Sequence, residues 1–147
     1  MKSIFNPEAY QEVVTRLNQL QPASPRQWGK MTPAQMLCHC KPSIEILLEK
    51  RPPVGKPNWF FKLLFKKSFY NDTPWRKNLP TAKAFVMTEE KDFETEKKEL
   101  STLIDELYSQ RNRKEWPEHA MLGKFTAEQY GQSMYKHLDH HLRQFNA

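Results

Sequence analysis

Thr126-Ala127-Glu128-Gln129-Tyr130-Gly131-Gln132-Ser133-Met134-Tyr135-Lys136-His137-Leu138-Asp139-His140-His141-Leu142-Arg143-Gln144-Phe145 is the stretch that decides the fold. It opens on a capping box, in which a threonine and the glutamine three residues later satisfy each other's backbone N–H groups. At about 100° per residue, Tyr130, Met134, Leu138 and Phe145 then fall on one face. His137 and His141 share that face, His140 lies at its margin and Asp139 points away from it. A helix of this kind buries its stripe against other helices.

The same signals mark three further long helices. Asn6-Pro7-Glu8 starts the first, with proline at the first helical position and an acid in the first turn. Val13, Val14, Leu17 and Leu20 make its stripe, and Pro22 and Pro25 close it. Thr32-Pro33-Ala34-Gln35 is a second capping box, and Met36, Leu37, Cys40, Ile44, Leu47 and Leu48 form the buried face behind it. Pro42 lies inside that helix, where it removes a hydrogen bond and favours a kink. Another helix is predicted over residues 92–110, with Phe93, Leu100, Leu103, Ile104, Leu107 and Tyr108 inward. Residues 50–88 are proline-rich and irregular apart from a short helix around Trp59-Phe60-Phe61-Lys62-Leu63-Leu64-Phe65. Connections of that length are uncommon in compact domains and serve as lids or pocket walls. The pattern predicts an all-α chain, one domain over residues 1–147, forming a four-helix bundle with a long proline-rich crossover between the second and third long helices.

Composition agrees. The 147 residues contain 38% hydrophobic and 27% charged residues, with mean hydropathy −0.83, as in a globular protein large enough to bury a core. Leucine outnumbers valine plus isoleucine 14 to 8 and glycine occurs 4 times, which favours helix over sheet. No apolar run reaches the ~20 residues of a membrane span, and Met1-Lys2-Ser3-Ile4-Phe5-Asn6 has no signal-peptide core. Cys38 and Cys40 cannot pair on one helix, so reduced thiols and a cytoplasmic setting are expected. The net charge of +6 raises nucleic acid as a partner, but no basic helix, RNA-binding aromatic signature or zinc finger accompanies it. A serine hydrolase lacks its nucleophile elbow.

The histidines carry the chemistry. His137 and His141, four apart, stand on one face roughly 5–6 Å from each other. His39, near Met36, Ser43 and Ile46, lies at the edge of the second helix's buried face. Three imidazoles aimed into an apolar interior need hydrogen-bond partners or a metal. Three neutral histidines with an open position are a usual catalytic zinc or nickel site. The alternative is a set of hydrogen-bonded core histidines.

Three segments carry a family resemblance: Trp28-Gly29-Lys30-Met31-Thr32-Pro33-Ala34-Gln35-Met36-Leu37-Cys38-His39-Cys40, Gly123-Lys124-Phe125-Thr126-Ala127-Glu128-Gln129-Tyr130-Gly131, and His137-Leu138-Asp139-His140-His141-Leu142-Arg143-Gln144-Phe145. Together they resemble the DinB/YfiT-like superfamily, in particular its small uncharacterised bacterial branch. The resemblance implies a bundle of up-down-down-up topology, with a divalent metal held by His39, His137 and His141. It also implies a metal-dependent enzyme acting on a small molecule, as a hydrolase or as a transferase or isomerase using a low-molecular-weight thiol cosubstrate. Two departures bear on the ligands: Pro42 stands one turn after His39, and His140 offers a competing imidazole.

Other residues are weighed beside these. His119, in the loop before the last helix, is either a solvated histidine or a substrate contact. Tyr130 is either a core aromatic or a phenol for the site, and Gln144 can orient a ligand. Cys40 reads as an inert core thiol and Cys38 as an outward-facing one. The segment 59–70, laced with Lys62, Lys66 and Lys67, is expected to bury Trp59, Phe60, Phe61, Leu63 and Leu64 over the bundle or in a homodimer contact, because exposed they would form an unusually large apolar patch. The contrary reading places this segment on a membrane surface or makes it steer an anion. A non-enzymatic metal-binding or stress-related protein is the rival to an enzyme.

Overall fold

Each helix begins where its start signal stands in the computed structural model, which describes residues 1–147. α1 (Pro7–Gln19) follows Asn6. α2 (Pro33–Leu47) and α5 (Ala127–Arg143) carry complete capping boxes at Thr32/Gln35 and Thr126/Gln129. α4 (Phe93–Ser109) is capped by Asp92, whose carboxylate accepts the Thr95 N–H. The short α3 (Trp59–Phe65) is capped by Asn58, which accepts from the Phe61 N–H at 2.9 Å. Two 3-10 turns, Lys66–Phe69 and Lys83–Phe85, complete the regular structure. The chain is all-α, with five helices and no strand.

α2 packs on α4 and α5, and α1 packs on the same two helices. The predicted stripes meet in the middle: Val13, Leu17, Met36, Ile44, Ile104 and Leu138 are all buried, each contributing about 1.5–3 kcal/mol by leaving water. α2 runs unbroken through Pro42. There the Ser43 hydroxyl donates to the Cys40 carbonyl at 2.9 Å. Asp139 does turn from the core stripe, and its carboxylate meets Arg16 of α1 at 2.7 Å. At Gly131, the carbonyl accepts the Ile4 N–H at 2.9 Å. A Cβ at that position would lie 2.1 Å from Ser3 Oγ, so glycine lets the N-terminal segment lie against α5.

The crossover between α2 and α4 is tied down chiefly by Lys136 of α5. Its ammonium donates to the Ser68 carbonyl (2.7 Å), the Asn71 carbonyl (3.0 Å) and Asn71 Oδ1 (2.7 Å). The expectation that this segment buries its apolar side chains over the bundle fails here. Trp59, Phe60, Leu63 and Leu64 are exposed, and of the five residues expected to be buried only Phe61 packs on the core. The reason lies in the helical register: Phe61 and Phe65 occupy one side of α3, with ring centroids 4.7 Å apart. Positions 59, 60, 63 and 64 fall on the opposite arc of about 140°. Cys38 is likewise half-buried rather than outward-facing, its sulfur 3.6 Å from that of Met87.

Candidate metal centre

α2 and α5 bring His39, His137 and His141 together, one ring nitrogen from each lying within 4.8 Å of the others. Ring centroids are 4.6 Å (His39–His141), 4.9 Å (His137–His141) and 5.4 Å (His39–His137) apart. The i, i+4 spacing on α5 stacks two rings on one face, and His39 reaches them from the facing helix.

Hydrogen bonds to the outer nitrogens orient each ring. His39 Nδ1 donates to the Phe85 carbonyl at 2.8 Å, a group that can only accept. His137 Nδ1 lies 3.1 Å from Ser43 Oγ, which also lies 2.9 Å from the Cys40 carbonyl; with the hydroxyl proton on that carbonyl, the imidazole donates. His141 Nδ1 donates to Gln144 Oε1 at 3.1 Å. The Gln144 amide is fixed in turn, since its Nε2 donates to the Trp28 carbonyl at 2.8 Å. Gly29 makes room for it: with φ +83° and no Cβ, it admits that amide where a Cβ would stand 2.2 Å away. With His137 in that tautomer all three protons sit on Nδ1, and three Nε2 lone pairs face inward.

His39 Nε2 and His137 Nε2 approach to 3.4 Å, and in these tautomers neither has a proton to give the other. Protonation is also disfavoured. Burial lowers the pKa of His39; burial and the neighbouring imidazoles put His137 well below its ordinary range; burial, then His39, brings His141 down to about 3. A cluster of inward lone pairs that resists protons is a donor set suited to a divalent cation. The group consists of these three side chains, the number of protein donors found in catalytic zinc sites.

The remaining sequence candidates lie around this set or away from it. His140 stands beside it, ring centroids 5.2 Å from His141 and 5.6 and 5.8 Å from Trp28 and Trp75. Gln144 is an outer partner, as described. His119 is occupied by its own loop: Nδ1 accepts the N–H groups of Met121 and Leu122, both at 3.2 Å, and the ring stacks on Phe125. Tyr130 donates to the Pro117 carbonyl at 2.5 Å, and burial pushes its phenol up to about 12. Cys40 is buried, which raises its thiol far above the ordinary value.

Sequence reasoning missed the Phe85 carbonyl and Trp75, whose ring is centred 6.0 Å from that of His137. It also missed Lys136, which holds Trp75's segment in place and lies 5.7 Å from that indole. Of these only Lys136 left a signal, as a charge between core positions of α5.

No curated protein and no solved structure matches the chain. Residues 4–147 match the family described as protein of unknown function (DUF1569), and the chain belongs to that family.

Proposed function

We propose that this protein is a metal-dependent enzyme in which His39, His137 and His141 hold a divalent ion, zinc or nickel, inside a four-helix bundle of up-down-down-up topology. The observation that carries the reading is the set of three Nε2 lone pairs, each ring oriented by a separate outer acceptor. A metal there supplies Lewis-acid chemistry, polarising a small substrate or favouring deprotonation of water or of a low-molecular-weight thiol cosubstrate. The chain's own residues do the positioning. Gln144 fixes His141, Ser43 fixes His137, Phe85 fixes His39, and Trp28 and Trp75 bring aromatic surface beside His140. A set of three protein donors, the number found in catalytic zinc sites, favours an enzyme over a purely structural or stress-related metal protein. The free thiols Cys38 and Cys40 fit a reducing, cytoplasmic setting. The likeness to the DinB/YfiT-like superfamily points the same way.

Cobalt substitution tests this. Cobalt bound by three imidazoles should give visible absorption bands that shift when azide or a small thiol is added. Failure to bind cobalt, zinc or nickel stoichiometrically removes the metal. Binding with a spectrum indifferent to added ligands gives the non-enzymatic rival the site.

A further inference from the structure

Residues 51–88 contain eight of the 23 Lys and Arg but one of the 17 Asp and Glu, so this segment carries +7 and the rest of the chain −1. Of the eight cations only Arg51 meets a carboxylate, Glu45 at 3.0 Å. Every exposed large apolar side chain also falls in this crossover: Trp59 (77% exposed), Phe60, Leu63 (74%), Leu64, Phe65, Leu79 and Val86. Charge and apolar surface are two separate features, and here they coincide on one segment.

We propose that the outer face of α3, with the basic crossover around it, docks on an anionic lipid surface. On a helical projection Trp59, Leu63, Phe60 and Leu64 form a continuous apolar arc of about 140°, with the exposed Lys62 beside it, while the Lys66 ammonium turns back to the Lys124 carbonyl. Lys67 follows and is exposed. That is the arrangement of a helix lying in a membrane interface, with hydrocarbon and indole toward the acyl boundary and ammonium groups at the headgroups. α3 has only seven residues, so its apolar burial is modest, and retention needs the second, electrostatic signal that the crossover supplies. A second copy of the chain is a poorer occupant: a two-fold contact sets this patch against itself, placing +7 against +7. Nucleic acid would satisfy the cations and leave Leu63 and Leu64 in water.

Co-sedimentation of the full chain with vesicles distinguishes these occupants. The protein should pellet with phosphatidylcholine vesicles containing phosphatidylglycerol, stay in solution with phosphatidylcholine alone, and be released by high salt. On the anionic vesicles its tryptophan emission should shift to the blue, and Trp59→Phe should remove most of that shift. The double variant Leu63→Glu/Leu64→Glu should abolish pelleting. Lys62→Gln and Lys67→Gln should each weaken it by about fivefold. These side chains point into water, so circular dichroism and cobalt binding should be unchanged, which separates this proposal from the metal site. No binding to anionic vesicles, or equal binding to neutral ones, overturns it. A dimer in solution that the Leu63→Glu/Leu64→Glu change dissociates assigns the face to a second copy and overturns it too.

Discussion

Lowering the pH below about 6.5 should unfold the metal-free protein steeply, with the three clustered histidines setting the slope. In the folded chain, burial holds the pKa of His39 below its ordinary value, that of His137 well below it, and that of His141 at about 3. The unfolded chain carries ordinary imidazoles that take up protons as the pH falls through about 6.5. Below that value, and above the folded-state pKa, the unfolded state binds more protons, so stability falls as the pH is lowered. His137 and His141, held furthest below that value, each contribute about 1.4 kcal/mol per pH unit well below 6.5, about 3 together, and His39 adds in the same direction. Integrated down to about pH 5, the loss from His137 and His141 is about 4 kcal/mol, set against the roughly 5–15 kcal/mol that stabilises a domain. The histidines therefore remove a large part of the protein's stability before most carboxylates titrate. Urea unfolding followed by circular dichroism, in chelator and at half-unit steps between about pH 5 and 8, reads the slope directly. His137→Gln should reduce it by about 1.4 kcal/mol per pH unit. A stability independent of pH between about 5 and 6.5, or an unchanged slope in the variant, refutes the burial of neutral imidazoles.

Three further outcomes follow from the geometry. His137→Ala should abolish stoichiometric metal while His140→Ala leaves it nearly intact, as measured by elemental analysis of tag-free protein; the reverse result means that the wrong face of α5 has been assigned. Gln144→Leu removes the acceptor of His141 Nδ1 and should weaken metal binding about 10–100-fold by competition with a chelating dye, and an unchanged affinity would show that the ring needs no such partner. Gly131→Ala places a Cβ 2.1 Å from Ser3 Oγ and 2.7 Å from Phe5 Cδ2. Its gain in helix propensity should be outweighed, for a net loss of about 1–2 kcal/mol in urea unfolding, and a stabilised variant would mean that the N-terminal segment moves aside freely.

The histidine cluster was legible because helical periodicity acts on residue types. His137 and His141 share the stripe of Met134 and Leu138, and His39 borders that of Met36, so facing helices can aim the rings at one point, and they lie together there. The capping boxes at Thr32 and Thr126 fixed the two helix starts for the same reason: the bonding partners are three residues apart in sequence. What holds His39 was not legible. Its acceptor is the carbonyl of Phe85, a group every residue has, delivered by a crossover whose path depends on Lys136 and not on any local pattern. The exposure of Trp59 and Leu63 was misread for a different physical reason. Cover over the bundle depends on how α3 is turned, and its register sets Trp59 and Leu63 opposite Phe61.

The outer hydrogen bonds also explain how a polar cluster keeps its shape between apolar helices. Packing alone leaves a ring free to flip or tilt, since imidazole has similar contours either way. Here each Nδ1 proton is committed to a different part of the chain. His39 is bound to the crossover, His137 to Ser43 of α2, and His141 to Gln144 just past the end of α5. Gln144 extends the connection, because its amide donates to Trp28 and its backbone carbonyl accepts the Gln27 N–H at 2.7 Å, tying the α1–α2 loop to the same corner. A displacement of any one of these segments misaims an Nε2, and the energy of the bonds opposes it. Residues held so that three lone pairs converge before any ligand arrives are preorganised. A merely apolar core at this position would be easier to fold and would present no lone pairs.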